Sequence, residues 1–250
     1  MPRLFGLIGH PLSHSFSKKY FTQKFASENL ADCSYELFDL AGISELPRLW
    51  QSQPQLEGLN VTIPYKLDVI PYLDELDESA ERVGAVNVIK KSAQGLMGYN
   101  SDYYGFKASL SAWLPAGFAG QALVLGTGGA SKAVVVALED LGIKHRLVSR
   151  RDQGAGLTYG QLAQDRALFE QFNLVVNTTP LGTYPQIDTK PELPYPWMDA
   201  SFYLYDLVYN PETTAFMAAG AQNGANAKNG YDMLVLQAER SWEIWNQNEG

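Results

Sequence analysis

The chain has 250 residues, of which 46% are hydrophobic and 18% are charged, and its formal net charge is −8. This composition is typical of a globular protein with one large domain or two modest ones, and it excludes a disordered chain. The net charge is negative and the sequence has no block of like charges, so we expect neither a nucleic acid nor a membrane surface as a partner. The apolar runs are too short to span a bilayer or to form a secretion signal.

The cysteine and histidine content indicates the cellular compartment of the protein and whether a metal site is expected. Cys33 is the only cysteine, so no disulfide bond can form within the chain. This usage indicates a reducing compartment, and we expect a cytoplasmic protein. The histidines, His10, His14 and His145, lack the spacing of metal ligands, so no metal site is expected.

The first predicted elements surround a turn rich in hydroxyl groups. A short buried strand is predicted over residues 4–9 and a helix over 18–28, with Ser13, Ser15 and Ser17 between them. One serine is enough to cap the helix, whereas the three hydroxyls together suit a polyol or carboxylate ligand, so both interpretations stay open. The next predicted elements are a strand over 32–40 and a helix over 41–53.

A lysine follows the strand that residues 58–66 predict. Pro64 ends this strand and leaves Lys66 just beyond its carboxyl end, where ligands bind in open α/β sheets. Since side chains alternate along a strand, Asn60 and Thr62 are expected on one face. A lysine in such a place is usually solvated, but in a dry cleft it can transfer a proton at a hydroxyl or a ketone.

Two further polar residues follow a helix that is predicted over residues 67–79. Asn87 interrupts the apolar strand predicted over 84–89, which indicates that its side chain faces a polar group. Residues 98–105 predict a turn that opens a helix. Asp102 by itself is typical of the residue that caps such a helix.

A glycine-rich turn, residues 126–131, follows a strand predicted over residues 122–125 and opens a helix. A strand, a glycine turn and a helix together present backbone N–H groups and a helix N-terminus to a phosphate. The spacing Gly126-x-Gly128-x-x-Ser131 departs from the standard fingerprint, which ends in Gly or Ala. A glycine turn without any ligand is therefore the alternative.

A second strand is predicted over residues 144–151 and contains Ser149-Arg150-Arg151. Two guanidinium groups suit the dianionic 2′-phosphate of NADP, whereas an acidic residue at this place commonly holds the 2′-hydroxyl of NAD. Asp152 follows directly, so a ribose contact is one alternative and an exposed loop is another. The remaining predicted elements are a strand over 172–177, a last strand over 202–209, a helix over 213–223, a crossing between domains over 222–230 and a final helix over 231–245.

Seven motifs between about residue 5 and residue 245 resemble, in order and spacing, those of the shikimate dehydrogenase family. They are Ser15-Phe16-Ser17, Asn60-Val61-Thr62-Ile63-Pro64-Tyr65-Lys66, Ala85-Val86-Asn87, Gly98-x-Asn100-Ser101-Asp102-x-x-Gly105, Gly126-Thr127-Gly128-Gly129-Ala130-Ser131, Tyr205-Asp206-Leu207-Val208-Tyr209-Asn210-Pro211-x-Thr213 and Asn229-Gly230-x-x-Met233-Leu234-x-x-Gln237-Ala238. This chain departs from the family pattern after Ser17, where Pro and a later His-Asn are usual, at Ser101, where Thr is usual, and at Thr127, where Ala is common. None of these departures removes a side chain to which the resemblance assigns chemistry.

The resemblance implies an α/β fold with two domains, an N-terminal α/β substrate domain and a Rossmann-like dinucleotide-binding domain, separated by a cleft. Residues 1–103 with 230–250 would form the first domain, and residues 104–229 the second. The implied activity is the reversible NADPH-dependent reduction of 3-dehydroshikimate to shikimate, a step of chorismate and aromatic amino-acid biosynthesis. The expected ligands are this small-molecule substrate and NADP, bound by a monomer or a homodimer.

The resemblance also implies roles for individual residues. Lys66 and Asp102 would form the acid–base pair of the reaction. The substrate would be held by Ser15, Ser17, Asn60, Thr62, Asn87, Tyr209 and Gln237. NADP would be held by Gly126, Thr127, Gly128, Gly129, Ala130, Ser131, Ser149, Arg150, Arg151, Asn177, Thr178, Leu207 and Gly230.

Two alternatives stand beside this activity. A quinate/shikimate dehydrogenase that uses NAD would differ by one ring hydroxyl of the substrate and by the phosphate of the cofactor. A catalytically silent nucleotide-sensing homologue would keep the fold, but it would need neither Lys66 nor Asp102. The presence of both residues therefore argues against the sensor.

Overall fold

The computed structural model describes residues 2–12, 15–151, 154 and 156–247. Its contacts divide the chain into two compact units, a first unit of Met1–Tyr104 with Gln237–Gly250 and a second unit of Gly105–Leu236. Both units combine helices with a β-sheet, so the predicted α/β class is confirmed. No helix within the described residues combines the length and the apolar character that a membrane crossing requires.

The first unit is built on a mixed sheet. Its strands are β1 (Arg3–Gly9), β2 (Cys33–Asp39), β3 (Leu56–Val61), β4 (Glu75–Leu76), β5 (Val88–Ser92) and β6 (Gly95–Tyr99). Its helical elements are α1 (Phe16–Ser27), α2 (Leu46–Ser52), α3 (Glu78–Val83), the start of α4 (Ser101–Trp113), the end of a C-terminal helix (Tyr231–Asn246) and 3-10 turns at Ile43–Glu45 and Ile70–Tyr72. In the described ranges the strand order is β2-β1-β3-β5-β6-β4, with β5 antiparallel to both neighbours. Because β1 and β3 are parallel, the chain leaves both at the same edge of the sheet.

After Arg3, strand β1 is apolar because both of its faces are covered. Phe5 belongs to one core cluster, and its ring stacks on Trp245 of the C-terminal helix with centroids 4.8 Å apart. Leu4 and Ile8 belong to a second cluster together with Leu59 of β3. Since side chains alternate along a strand, a strand between two cores reads as a continuous apolar run.

The second unit contains a parallel sheet. Its strands are β7 (Ala122–Leu125), β8 (His145–Ser149), β9 (Leu157–Thr158), β10 (Leu174–Asn177), β11 (Tyr203–Asp206) and β12 (Asn226–Lys228). Its helices are the rest of α4, α5 (Gly129–Asp140), α6 (Tyr159–Gln164), α7 (Arg166–Phe169), α8 (Ala215–Ala221) and the start of α9 (Tyr231–Asn246). In the part of the chain that the structure describes, the strand order is β12-β11-β10-β7-β8-β9 and every pair is parallel. This is the Rossmann order, in which ligands bind beyond the carboxyl ends of the central strands, so the predicted Rossmann-like domain is confirmed.

The helix predicted over residues 67–79 is wrong. The segment forms a 3-10 turn at Ile70–Tyr72, the short strand β4 and then the start of α3. Pro71 has no N–H for a helical hydrogen bond. The Asp77 carboxylate accepts a hydrogen bond from the Ala80 N–H at 3.0 Å, so it caps a helix that begins only at Glu78.

Other predicted elements also need correction, and the strand predicted over 58–66 ends at Val61, before Pro64. The strand predicted over 84–89 begins only at Val88, because Gly84 has a φ of 64° and ends α3 in the left-handed conformation. The turn predicted over 98–105 starts inside β6, the second strand of a β5–β6 hairpin. The strand predicted over 202–209 is not the last one, because β12 lies within the supposed crossing between domains. The strands predicted over 4–9, 32–40 and 122–125 are confirmed.

Candidate active site

The first unit brings the Lys66 amine and the Asp102 carboxylate together. Lys66 lies beyond the end of β3, and its carbonyl accepts a hydrogen bond from the Val86 N–H at 2.8 Å. Asp102 lies in the first turn of α4. Lys66 Nζ is 2.5 Å from Asp102 Oδ2, and the two side chains are only 22% and 15% exposed. The pair is therefore formed within one unit and is shielded from most of the solvent.

Asp102 does not cap α4. The Asn100 side chain does so instead, because its Oδ1 accepts a hydrogen bond from the Tyr103 N–H at 3.0 Å. Asn100 is itself held by a hydrogen bond from its Nδ2 to the Ala85 carbonyl at 2.8 Å. With the capping role filled, the Asp102 carboxylate is available to the lysine.

The predicted hydroxyl-rich turn contains one capping serine. The Ser15 Oγ accepts a hydrogen bond from the Lys18 N–H at 3.3 Å, so Ser15 caps α1. Ser17 lies in the first turn of α1, and its hydroxyl hydrogen-bonds with Tyr35. Burial raises the pKa of Tyr35, and the Ser17 contact offsets a part of this effect. Ser13 lies outside the described residues.

Asn60 is buried, and its amide is fully engaged within the protein. Its Oδ1 accepts a hydrogen bond from the Tyr35 hydroxyl at 2.8 Å. Its Nδ2 donates to Ser241 Oγ at 2.9 Å and to the Asn87 carbonyl at 3.3 Å. Thr62, which was expected on the same face, is the first residue after β3 and is half-buried.

Asn87 faces polar partners, as its place in an apolar run predicted. Its Oδ1 accepts a hydrogen bond from the Ser101 N–H at 2.6 Å, and its Nδ2 donates to Ser101 Oγ at 3.0 Å. The Ser101 Oγ is in turn 3.4 Å from Gln237 Oε1 and 3.2 Å from Ser241 Oγ. Gln237 is 7% exposed. The structure therefore places Asn60, Asn87 and Gln237 in one buried hydrogen-bond network of the first unit.

Sequence reasoning missed Tyr35, Ser101 and Ser241 as members of this network. Ser241 follows Gln237 by one helical turn, so the three- and four-residue spacing on α9 was a usable signal. Ser101 stood inside a recognised motif. Tyr35 lies on β2 within an apolar alternation, and nothing local in the sequence indicates where its hydroxyl points.

The glycine-rich turn of the second unit lies between β7 and α5. Gly126 has a φ of 106°, a conformation that favours glycine. A Cβ added to Gly128 or Gly129 would meet no heavy atom within 4 Å, so the space before the N-terminus of α5 is open. The turn is completed by the Ser131 hydroxyl, which donates to the Gly128 carbonyl at 2.6 Å. Thr127 is exposed and Ala130 is half-buried at this turn. A phosphate fits this turn because it can approach the backbone N–H groups directly.

Ser149, Arg150 and Arg151 follow one another at the end of β8, next to the glycine turn in strand order. Both arginines are exposed, and the Ser149 hydroxyl donates to the Arg151 carbonyl. This chemistry fits a phosphate dianion because guanidinium groups bind such anions through paired N–H donors. Asp152, the predicted competitor for a ribose hydroxyl, lies outside the described residues.

Two turns follow the neighbouring strands β10 and β11, and we call residues 178–182 the β10 turn and residues 207–209 the β11 turn. The Thr178 N–H and hydroxyl both donate to the Leu125 carbonyl, at 3.0 and 2.7 Å, which ties the β10 turn to the end of β7. The Leu207 N–H donates to the Asn177 carbonyl at 3.0 Å. A Cβ on Gly230 would lie 2.3 Å from the Leu207 carbonyl oxygen, so only glycine fits there. Tyr209, in the β11 turn, is 38% exposed.

Asn177 and Asp206 form a buried pair beneath these turns. Asn177 Oδ1 accepts hydrogen bonds from the Thr179 N–H and hydroxyl, at 3.1 and 2.7 Å. Asp206 Oδ1 accepts from Asn177 Nδ2 at 2.9 Å and from the Val208 N–H at 3.0 Å, and Asp206 Oδ2 accepts from the Thr214 hydroxyl at 2.6 Å. Burial raises the pKa of Asp206 to about 6, although these donors lower it. Sequence reasoning assigned Asn177 to the cofactor, whereas Asp206 stood inside a recognised motif without an assigned role.

The raised pKa predicts that Asp206 lowers stability as the pH rises. The folded protein binds a proton at Asp206 more tightly than the unfolded chain does, so this group lowers the free energy of unfolding by up to about 3 kcal/mol between about pH 4 and pH 7. The Asp206→Asn variant lacks this titration. Urea unfolding at about pH 4.5 and about pH 7 should show that the variant gains stability relative to the wild type as the pH rises. A difference that stays constant with pH would contradict the raised pKa.

Metal ligation has no candidate site in the described ranges, where no group of three or more His, Cys, Asp or Glu residues is placed to hold a metal ion.

Comparisons with known proteins place this chain among its relatives. Residues 7–89 match the family model of the shikimate dehydrogenase substrate binding domain. The chain is 37% identical to the shikimate dehydrogenase (NADP(+)) of Clostridium beijerinckii, over 97% of this chain and 92% of the relative. These matches confirm the resemblance that the motifs indicate.

Solved structures give the same result over nearly the whole length. The crystal structure of shikimate dehydrogenase 1 from Peptoclostridium difficile is 35% identical, with a TM-score of 0.83 and coverage of 99% of this chain and 93% of that one. The shikimate 5-dehydrogenase from Thermus thermophilus, solved in complex with NADP(H) and shikimate, is 29% identical, with a TM-score of 0.84 and coverage of 98% and 93%. The chain therefore belongs to the shikimate dehydrogenase family.

Proposed function

We propose that this chain is an NADP-dependent shikimate dehydrogenase, which reversibly reduces 3-dehydroshikimate to shikimate in chorismate and aromatic amino-acid biosynthesis. The observation that carries the proposal is the contact of 2.5 Å between the Lys66 amine and the Asp102 carboxylate. An amine and a carboxylate that are mostly withdrawn from solvent are suited to move a proton at a hydroxyl or a ketone. Membership of the family supplies the substrate class.

The reaction needs a proton as well as a hydride. The bound cofactor supplies the hydride chemistry, and the protein supplies orientation and proton transfer. When the carbonyl carbon of the substrate accepts a hydride, its oxygen becomes an alkoxide, and the Lys66 ammonium gives that oxygen a proton. Asp102 keeps the Lys66 amine in place and accepts a hydrogen bond from a substrate hydroxyl. In the reverse direction the proton returns from the shikimate hydroxyl to the Lys66 amine.

We assign the substrate contacts to residues of the first unit, and Tyr209 stays a predicted substrate contact that the resemblance implies. Asn87, Thr62 and Gln237 hold the ring hydroxyls, and Ser15 and Ser17 hold the carboxylate. Asn60 acts through its neighbours, because both N–H donors of its amide are engaged by Ser241 and Asn87. Its substitution is therefore expected to misplace other contacts rather than to remove one from the substrate.

The two serines provide a test of the carboxylate contact. Because a hydrogen bond to a charged group contributes about 1.5–3 kcal/mol, Ser15→Ala and Ser17→Ala are each expected to raise the KM for shikimate roughly tenfold or more. Initial rates at saturating NADP measure this value. The KM for NADP should stay within about twofold of the wild-type value, since neither serine is assigned to NADP.

Ser27→Ala is the matched control for these two variants. The Ser27 hydroxyl donates to the Lys24 carbonyl at 3.0 Å at the other end of α1, so its loss removes a hydroxyl from the same helix. The KM for shikimate should not change in this variant. Unchanged KM values in both Ser15→Ala and Ser17→Ala would place the carboxylate elsewhere.

NADP is assigned to the second unit because the residues present fit it. The open space at Gly128 and Gly129 leaves room for a pyrophosphate against the backbone. Arg150 and Arg151 hold the 2′-phosphate, and the β10 and β11 turns with Gly230 support the rest of the cofactor. The proposed enzyme acts in the cytoplasm as a monomer or a homodimer, with no nucleic-acid or membrane partner.

The proposal is tested by incubating the purified protein with shikimate and NADP and following absorbance at the NADPH band. We expect oxidation of shikimate with NADP at a higher kcat/KM than with NAD, and at a higher kcat/KM than that of quinate. Preference for quinate and NAD would identify the quinate/shikimate alternative. Tight binding of NADPH without any turnover would identify a nucleotide sensor.

A further inference from the structure

Asp206 is a buried carboxylate that the proposed reaction does not use. It is fully buried at the carboxyl end of β11, and its partners are the three neutral donors of Asn177, Val208 and Thr214. In the described part of the chain it takes part in no ion pair. Burial together with the Asp206 charge raises the pKa of Tyr195, whose hydroxyl donates to the Pro191 carbonyl at 2.8 Å.

Such a charge is costly at this position. Burial without a cation makes the ionised form of Asp206 unfavourable, which is why its pKa is raised to about 6. An asparagine has nearly the same shape and would carry no charge, but its Nδ2 could not accept a hydrogen bond as a carboxylate oxygen does. A residue that lowers stability in this way is expected mainly where a functional site needs it.

The hydrogen bonds of Asp206 show what it holds. The bond from the Val208 N–H fixes the β11 turn, which carries Leu207 and Tyr209. The bond from Asn177 orients an amide whose Oδ1 accepts from the Thr179 N–H and hydroxyl, so it fixes the β10 turn. One carboxylate is thus hydrogen-bonded to the β11 turn directly and to the β10 turn through Asn177, at the carboxyl edge of the Rossmann sheet.

The β11 turn is also the one that meets Gly230. The Gly230 N–H donates to the Val208 carbonyl at 3.2 Å, and the close approach to the Leu207 carbonyl allows no side chain at position 230. Asn177, Thr178, Leu207 and Gly230 are all residues that the resemblance assigns to the cofactor. Asp206 lies behind these residues and is too deeply buried to touch a ligand itself.

We propose that the Asp206 carboxylate is a positioning residue for the cofactor, which it serves by holding the β10 and β11 turns in the conformation that binds NADP. The inference rests on the proposed function. Hydrogen bonds to a carboxylate are roughly twice as strong as those to a neutral amide, so Asp206→Asn keeps the shape and loosens both turns. Because it removes a buried charge, this variant is expected to fold.

The test measures the dissociation constant of NADP by calorimetric titration, without any substrate. At about pH 7.5 we expect Asp206→Asn to weaken NADP binding about tenfold, the equivalent of one charge-assisted hydrogen bond. Tyr205→Phe is the matched control on the same strand. It removes the buried hydrogen bond from the Tyr205 hydroxyl to Ser109 Oγ at 2.8 Å, on the face opposite to Asp206. The dissociation constant of NADP for Tyr205→Phe should stay within about twofold of the wild-type value.

A second arm separates the charge from the shape of the side chain. At about pH 5 most of the Asp206 carboxyl is protonated in the wild type. The dissociation constant of NADP for Asp206→Asn, divided by that for the wild type, should therefore fall towards one. The 2′-phosphate of NADP titrates equally with both proteins and cancels in this ratio. A ratio that is the same at both pH values would mean that only the shape matters, and it would overturn the role of the carboxylate.

The remaining outcomes also decide the question. Unchanged NADP binding in Asp206→Asn, with a wild type that binds NADP, overturns the inference and leaves the proposed function intact. A wild type that binds no NADP overturns both. If Asp206→Asn does not fold, Thr179→Val breaks the same chain of hydrogen bonds at its far end. Weaker NADP binding in Thr179→Val supports the inference, and unchanged binding overturns it.

Discussion

Replacing Lys66 by alanine is expected to lower kcat for shikimate oxidation by roughly two to four orders of magnitude, the usual contribution of a positioned acid–base group. The amine that contacts Asp102 at 2.5 Å is then absent, and no other group is assigned to accept the hydroxyl proton. The dissociation constant of shikimate should change much less, because the assigned ring and carboxylate contacts remain. Single-turnover rates with saturating NADP, together with shikimate titrations, separate the two effects.

Lys144→Ala is the control for Lys66→Ala. Lys144 is an exposed lysine just before β8, so its loss removes the same charge from the surface. This variant should keep the wild-type kcat. A kcat near the wild-type value in Lys66→Ala would rule out proton transfer by Lys66.

The partner variant Asp102→Asn tests whether the two residues act as a unit. It keeps the shape of the side chain and removes the negative charge that contacts the Lys66 amine. We expect a loss of kcat in this variant, and we expect the double variant to lose far less than the product of the two single losses. Losses that multiply would mean that Lys66 and Asp102 contribute independently.

Much of the fold could be predicted because its signals are local. The apolar run of β7, the glycines after it and the apolar helix α5 each follow from a few adjacent residues. The strand β1 was recognised for the same reason, since both of its faces are covered and its residues after Arg3 form a continuous apolar run. The helix predicted over 67–79 is wrong because Pro71 cannot donate a helical hydrogen bond and Asp77 caps a separate helix that begins at Glu78.

The candidate site was predictable only as far as its motifs extended. Lys66 and Asp102 were named from their motifs, but the contact between them joins residues 36 positions apart. Asn60 and Ser241 are 181 positions apart, and no local pattern indicates that their side chains meet. The same holds for Asp206, which stood inside a motif but whose hydrogen bond with Asn177 no local pattern indicates. Buried polar networks of this kind are set by tertiary packing, so they become visible only in the structure.

The double variant Arg150→Ala/Arg151→Ala is expected to raise the KM for NADP by roughly 100-fold or more, since two charge-assisted contacts to one phosphate are lost. The KM for NAD, which lacks that phosphate, should change little. Initial rates with both cofactors at saturating shikimate measure the two values. Because both arginines are exposed, the effect should shrink as the salt concentration rises.

Arg146→Ala is the control that distinguishes a phosphate contact from general surface charge. Arg146 is exposed within β8, three residues before its end, so it adds the same charge to the same strand without lying at the carboxyl edge. It should leave both KM values unchanged. If the double variant raises the KM values for NAD and NADP equally, the two arginines hold a part that both cofactors share, such as the pyrophosphate. If both KM values stay unchanged, Arg150 and Arg151 belong to an exposed loop, and the preference for NADP must come from another part of the second unit.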